Sequence, residues 1–363
     1  MTEAVRALVL CRSLPGGLMA RRARRIAEHA PPGLEVEVVH RPSGGGAERA
    51  LLRRLARERR PDVVVAYDCD PRELRAALLL RARGVPVALE IGDVAADVIR
   101  ALGGSRARVA RRRATEAAAW RLADRLLIRG AGFEQVLAER GVRRRTDLVP
   151  EGVDLERFAP RSPDVGRRLL GLREGDVAVG VVGSIVWSPV ARTAYGWELV
   201  EALPRLPDHV KAVLVGGGDG VERLRARAAA LGVRERLLTP GVVAHDDVPD
   251  ALAALDAVTW TQTPDAVGRC RTTLKLPEYL ASGRFIVASD VGAARAYVDS
   301  NGARIPYTGG RDPRYVEGVT AELAQVARDP AAARARGRLG VAKAAPFSWP
   351  RVAVAFHEAL LAA

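Results

Sequence analysis

Thr272-Thr273-Leu274-Lys275-Leu276-Pro277-Glu278-Tyr279-Leu280-Ala281-Ser282-Gly283 runs directly into the apolar stretch 285–288 and then Ser289-Asp290. Pro277 suits the first turn of a helix, and Thr272 or Thr273 fits at or just before its cap. The apolar stretch that follows reads as a buried strand. A helix N-terminus exposes unpaired N–H groups and a partial positive charge, which attract phosphate. Lys275 adds a full charge at the same place, and Glu278 lies in the first turn. There its carboxylate can accept two hydrogen bonds from a vicinal diol such as a ribose. The plainer reading is a capped surface helix whose acid complements the helix dipole.

The same alternation of helix and strand extends outward from this segment. Residues 177–182, 210–215, 237–238 and 257–260 read as further strands, with helices at 197–203, 220–231, 248–254 and 277–282 between them. The N-terminal half repeats the pattern, with strands at 5–10, 34–39, 63–66, 85–89, 125–128 and 146–149. Its helices fall at 18–29, 47–59, 72–83 and 106–123. Continuous apolar strands alternating with helices predict parallel sheets covered on both faces. The expected fold class is therefore α/β, with two Rossmann-like doubly wound domains facing a cleft. Pro160 and Pro163 break regular structure at the boundary. The expected organisation is 1–150, 151–345 and a last segment, 346–363. Open α/β sheets bind ligands beyond the carboxyl ends of their strands, where strand order reverses.

The 363 residues suit two domains, and no run of 18 apolar residues suggests a membrane span. The N-terminus lacks the pattern of a signal peptide. Cys11, Cys69 and Cys270 are too few and too scattered for a disulfide framework or a metal cluster, so the chain reads as cytoplasmic with no metal site. Of the 57 basic residues only Lys211, Lys275 and Lys343 are lysine, a bias that fits a GC-rich genome. Residues 1–150 carry 30 basic and 18 acidic side chains, against 27 and 25 for residues 151–363. That asymmetry suggests an anionic partner for the first half. The run Arg106-Ala107-Arg108-Val109-Ala110-Arg111-Arg112-Arg113 is either a solvated helix face or a weak contact with an anionic membrane surface. Aromatic residues are 4% of the chain and no recognition motif is present, which argues against nucleic acid as a partner.

The segment 272–283 resembles the nucleotide-binding signature of retaining glycosyltransferases of the GT-B type, the group 1 or glycogen-synthase-like superfamily. Other landmarks follow in order. Val149-Pro150-Glu151-Gly152-Val153-Asp154 resembles the interdomain segment, and Val179-Gly180-Val181-Val182-Gly183-Ser184 the strand and turn that open the donor domain. Val213-Leu214-Val215-Gly216-Gly217-Gly218-Asp219 and Thr239-Pro240-Gly241-Val242-Val243 resemble its next two strand ends. Phe347-Ser348-Trp349-Pro350 resembles the segment that crosses back to the N-terminal domain.

This resemblance implies sugar transfer from a nucleoside-diphosphate sugar, as co-substrate and with no other cofactor, to an acceptor of unidentified class. Glu278 would hold the donor ribose. Lys275 and the amides of Thr273 and Leu274 would face the diphosphate, Val243 would cover the base, and Gly183, Ser184 and Gly216 would line the donor. His245 reads as a helix-entry residue. Gly16 and Gly17, in the turn after the first strand, form either an acceptor or phosphate loop or a plain strand-to-helix turn. Asp93 follows a strand where the family often places a histidine; it either orients a sugar hydroxyl or caps the next helix.

The departures from the family pattern are specific. A second glutamate often lies eight positions before the ribose-binding one, and here that position is Cys270, flanked by Arg269 and Arg271. The turn after Gly183 usually carries an arginine and a lysine. Alignment on Gly196 puts Tyr195 at the lysine position, leaving Arg192 as the candidate second cation. Two other functions remain in view: a same-fold epimerase or pseudo-glycosyltransferase, and a basic nucleic-acid-binding protein.

Overall fold

The computed structural model describes residues 4–11, 17–40, 60–68 and 71–361, the side chains of residues 72 and 73 excepted. The expected helix at 47–59 lies outside the described residues. In the first half the apolar runs form β1 (Val5–Cys11), β2 (Leu34–His40), β3 (Val63–Tyr67), β4 (Val87–Ile91), β5 (Arg125–Ile128) and β6 (Thr146–Leu148). In the second they form β7 (Val177–Val182), β8 (Val210–Val215), β9 (Leu237–Gly241), β10 (Ala257–Trp260), β11 (Phe285–Ser289) and β12 (Gly302–Ile305). Two six-stranded sheets result, ordered β2-β1-β3-β4-β5-β6 and β12-β11-β10-β7-β8-β9. Their pairings are parallel throughout, from β1 with β2 to β8 with β9.

Strand order reverses between β1 and β3 in the first sheet, and between β7 and β10 in the second. Ligand crevices form at such reversals because the connecting helices depart to opposite faces. The strand β12 was not expected from the sequence. It is an edge strand whose Gly-Ala-Arg-Ile is buried only at its two ends, so it carries no apolar run.

The chain divides into two compact units. The first comprises Met1–Ile99, Ser105–Gly152 and Pro346–Ala363; the second comprises Arg100–Gly104 and Val153–Ala345. In the first, helix Trp349–Leu361 places Val352, Phe356 and Leu360 one turn apart on one face, and all three are buried. They share a core with Val9, Val65 and Ile26 from β1, β3 and helix Leu18–Glu28. Burying each such large side chain contributes about 1.5–3 kcal/mol. Gly152 fits under Trp349, since a Cβ there would lie 2.3 Å from the indole. In the second unit, helix Pro313–Arg328 presents Tyr315, Val319, Leu323 and Val326 to the core formed with Val179, Val181 and Leu214.

Candidate active site

The second sheet's reversal point is built first from backbone. Beyond β7, Gly183 has φ 127° and its N–H donates to the Val215 carbonyl; beyond β8, Gly216 has φ 135° and donates to Gly241. These bonds continue the sheet past its strands. Both φ values are ones that L side chains rarely adopt. A Cβ on Gly216 would stand 1.9 Å from the Gly183 oxygen, so the two turns meet only because residue 216 is glycine.

The space that a side chain at Gly183 would fill is taken by Lys275. A Cβ at Gly183 would lie 3.0 Å from the lysine Cε and 3.3 Å from its Nζ. The ammonium is seated over the Tyr195 ring, 4.1 Å from the centroid, a cation–π arrangement. Burial lowers the Lys275 pKa, as low dielectric disfavours the charged form. The Tyr195 phenol accepts a hydrogen bond from Gln262 Nε2 at 3.4 Å and another from Arg271. Burial would raise its pKa, but the charges of Lys275 and Arg271 outweigh that and lower it. Gln262 follows β10, and both its N–H and its carbonyl bond to the Ser289 hydroxyl, at 2.8 Å each. Tyr279 closes the floor by accepting the Val182 N–H at 3.0 Å.

The helix carrying this lysine spans Lys275–Ala281 and starts two residues earlier than the sequence suggested. Its cap position is Leu274 and has no side-chain capping bond, so neither threonine caps it. Thr273 instead accepts a hydrogen bond from the Trp260 indole N–H at 3.0 Å, which ties the helix entry to β10. Glu278 is half-buried, and its charge acts on Lys275 and on Tyr279. Ser184 is exposed beside Gly183, and Val243 is half-buried beyond β9. His245 opens the short turn His245–Asp247 that leads into helix Val248–Ala253. Arg192 stands apart from this cluster in its contacts. It is exposed in a turn closed by Ser188 and Thr193, has φ 56°, and its carbonyl accepts from Arg311.

In the first unit the strand ends carry a different set. Glu90 is fully buried at the end of β4, and its Oε1 accepts from Arg22 Nε and Arg129 Nε, both at 2.7 Å. Arg129 also reaches Glu151 at 3.1 Å, and Arg22 donates to the carbonyls of Val149 and Pro150. Burial pushes the Glu90 carboxyl up, but the two arginine charges and their hydrogen bonds outweigh it and hold the pKa low. Asp68 has φ 52° and accepts the Gly92 N–H at 3.1 Å; burial raises its pKa, and the half-buried Asp93 adds to the rise. Gly17 is the cap residue of helix Leu18–Glu28, with φ −73°, and Gly16 lies outside the described residues. Among the described residues no group of three or more His, Cys, Asp or Glu could hold a metal ion, and no helix is long and apolar enough to cross a membrane.

The sequence pointed to Lys275, Glu278 and Gly183 but not to Tyr195, Gln262 or Arg271 as one group. The spacing of those three gives no sign that they meet, since Tyr195 is 67 positions from Gln262.

Solved structures with this architecture define its class. Anabaena HepE in complex with UDP superposes with a TM-score of 0.73, covering 99% of this chain and 100% of that one at 19% identity. Sucrose-phosphate synthase from Thermosynechococcus elongatus gives 0.74, covering 97% and 98%, also at 19% identity. The fold is GT-B, with two Rossmann-like domains. Residues 177–325 match the family model described as glycosyl transferases group 1. The D-inositol 3-phosphate glycosyltransferase of Geodermatophilus obscurus is 31% identical over 251 residues, 66% of this chain and 53% of that one. That of Xylanimonas cellulosilytica is 31% identical over 231 residues, 59% and 50%. The chain thus spans about half the length of these curated relatives. The similarity to the group 1 glycosyltransferases lies within residues 177–325.

Proposed function

We propose that the chain transfers a sugar from a nucleoside-diphosphate donor to an acceptor bound by the first unit, with retained configuration. The observation that carries this reading is the Lys275 ammonium, held against Gly183 over the Tyr195 ring at the reversal point of the second sheet. A cation fixed by packing, beside a turn that only glycine can make, suits a diphosphate that gains charge as the sugar departs. Preorganisation matters because the charge then needs no rearrangement as the bond breaks. Glu278, one turn on from Lys275, serves the donor ribose. HepE was solved with UDP-glucose, which makes a UDP-sugar the first donor to test, and the names of the relatives make a polyol phosphate the first acceptor.

Thermal-shift titration with UDP, GDP, dTDP and ADP tests the reading. One of the four stabilises the protein, by about 2.7 kcal/mol at one hundred times its Kd. Stabilisation by none of them overturns it. With the ligand identified, Glu278→Ala weakens its binding by about 1.5–3 kcal/mol, the range for a hydrogen bond to a charged group. Unchanged affinity in a folded variant removes Glu278 from the ribose site.

A further inference from the structure

Close to the Lys275 seat in the chain lies a carboxyl that the proposed reaction does not use. Glu198 stands in the first turn of helix Trp197–Ala202, whose cap residue is Gly196, and it is fully buried. Its Oε1 accepts a hydrogen bond from the Thr261 hydroxyl at 3.0 Å, and its Oε2 is buried with no hydrogen-bond partner. With the Thr261 proton spent on Glu198, the Tyr315 hydroxyl, 2.7 Å away, donates to Thr261. Among the described residues no cation pairs with Glu198, in contrast to Glu90, whose oxygen is shared by two arginines. Burying an unpaired charge costs far more than burying one unbonded hydroxyl, so such a group takes up a proton instead. The N–H groups at the helix start and the hydroxyls of Thr259 and Thr261 favour the anion, but burial outweighs them and raises the pKa. The other titratable groups that face it, Tyr279, Tyr307 and Tyr315, have pKa values raised by burial and bring no charge.

The place of this carboxyl gives it a role. Tyr195 and Glu198 lie three residues apart on one segment, and Thr261 and Gln262 are adjacent on another. Gln262 donates to the Tyr195 phenol at 3.4 Å, and Thr261 donates to Glu198 at 3.0 Å. The same two segments are thus joined twice, and the first of these joins holds the ring on which the Lys275 ammonium rests. We infer that Glu198 is a positioning residue that works as a neutral carboxylic acid, holding the end of β10 against the start of helix Trp197–Ala202 so that Tyr195 stays beneath Lys275. Its bearing on the diphosphate rests on the donor reading above. An ionised glutamate here would add a negative charge near a site that takes up an anion. A neutral one keeps the hydrogen bond and removes that repulsion.

Difference infrared spectra of the full chain and of Glu198→Gln at neutral pH test the protonation. The unaltered protein shows the carbonyl stretch of a protonated carboxylic acid that the variant lacks; a carboxylate band in its place overturns the inference. Thermal unfolding gives a second readout. A carboxyl whose folded pKa is raised stabilises fully below the ordinary glutamate value of about 4.3, and that stabilisation is lost as pH rises through the folded value. The Tm of the unaltered protein therefore falls relative to that of Glu198→Gln as pH rises above about 4.3, and a gap that does not change with pH overturns the inference. Positioning is read by calorimetry with UDP, GDP, dTDP and ADP, each paired with its own nucleoside. For the diphosphate that binds, Glu198→Leu and Thr261→Val each lower affinity about 2- to 10-fold, the range for one neutral hydrogen bond, and the double variant loses no more than either. The free nucleoside loses far less, and Glu198→Gln, which keeps a carbonyl for Thr261, recovers most of the diphosphate affinity. Unchanged diphosphate affinity in folded Glu198→Leu and Thr261→Val proteins, or equal losses for diphosphate and nucleoside, overturn the positioning role and leave the donor reading intact. Binding of none of the four diphosphates to the unaltered protein overturns the donor reading and the positioning role together.

Discussion

The two sheets are both parallel with one reversal of strand order, and they differ in what stands near it. At the first sheet, Arg22, Arg129, Glu90 and Glu151 pair with one another, with Glu90 fully buried between two guanidiniums. Beyond the second sheet, glycine turns approach each other closely and one ammonium rests on an aromatic ring. One end is occupied by the protein's own ion pairs, and the other presents a cation and bare backbone. The lesson is that a shared fold places a crevice but does not assign it a ligand; the side chains that fill it or line it do that.

The largest expected effect lies on the filled side. Glu90→Gln leaves two buried guanidiniums without their shared carboxylate, and breaking a buried pair in this way costs about 3–5 kcal/mol. Urea unfolding reads that loss, and nucleoside-diphosphate affinity of the folded fraction stays unchanged. Because the Glu90 pKa is held low, its stabilisation is fully present above the ordinary glutamate value of about 4.3 and disappears as pH falls through the lower folded value. The stability gap between the two proteins therefore narrows below that range. A gap that stays constant down to the acid transition breaks the contrast drawn between the two ends.

On the lined side the effect is on binding more than on folding. Lys275→Ala weakens binding of the nucleoside diphosphate by about 1.5–3 kcal/mol and that of the free nucleoside far less. Calorimetry on the two ligands decides it, and equal losses would place the lysine elsewhere than at the diphosphate. Alkaline titration sharpens the point. Burial lowers the Lys275 pKa, so its charge, and with it diphosphate affinity, falls at a lower pH than an ordinary lysine would give.

The smallest effect is expected on helix Arg106–Leu122. Arg111 and Arg113 are exposed on helix Arg106–Leu122, and Arg113 pairs with Asp97. Reversing Arg111, Arg112 and Arg113 to glutamate leaves donor KM within about twofold, since surface charges at a distance are screened by salt. A larger change would mean that the basic half reaches the donor after all. Sedimentation with anionic liposomes separates a membrane contact from a solvated helix face.

Much of this architecture was legible from local pattern. Strands β5, β7, β8 and β10 have the bounds their apolar runs suggest, because a strand covered on both faces is apolar along most of its length. The edge strand β12 escaped notice because it lacks that need. Lys275 and Glu278 stood out because one helical turn brings them together within four residues. The Tyr195–Arg271 bond and the Arg22–Glu90–Arg129 cluster did not, since nothing in a linear chain marks which of its many arginines will meet a given partner 76 or 68 positions away. Cys270, at the position where a glutamate was expected, is buried.

The return of the last helix to the first core bears on the order in which the chain can mature. Val352, Ala353 and Phe356 belong to the same cluster as Val9 and Val65, so the first unit is incomplete until the final residues exist. The second unit draws nearly all its residues from one continuous segment, Val153–Ala345. During synthesis the usual N-terminal-first order is thereby inverted. The earlier-made unit waits, with an open core, for the segment that resumes at Pro346, while the later-made one can close at once. Ribosome-bound chains halted before residue 346 should give a protease-resistant second unit and a cleavable first one.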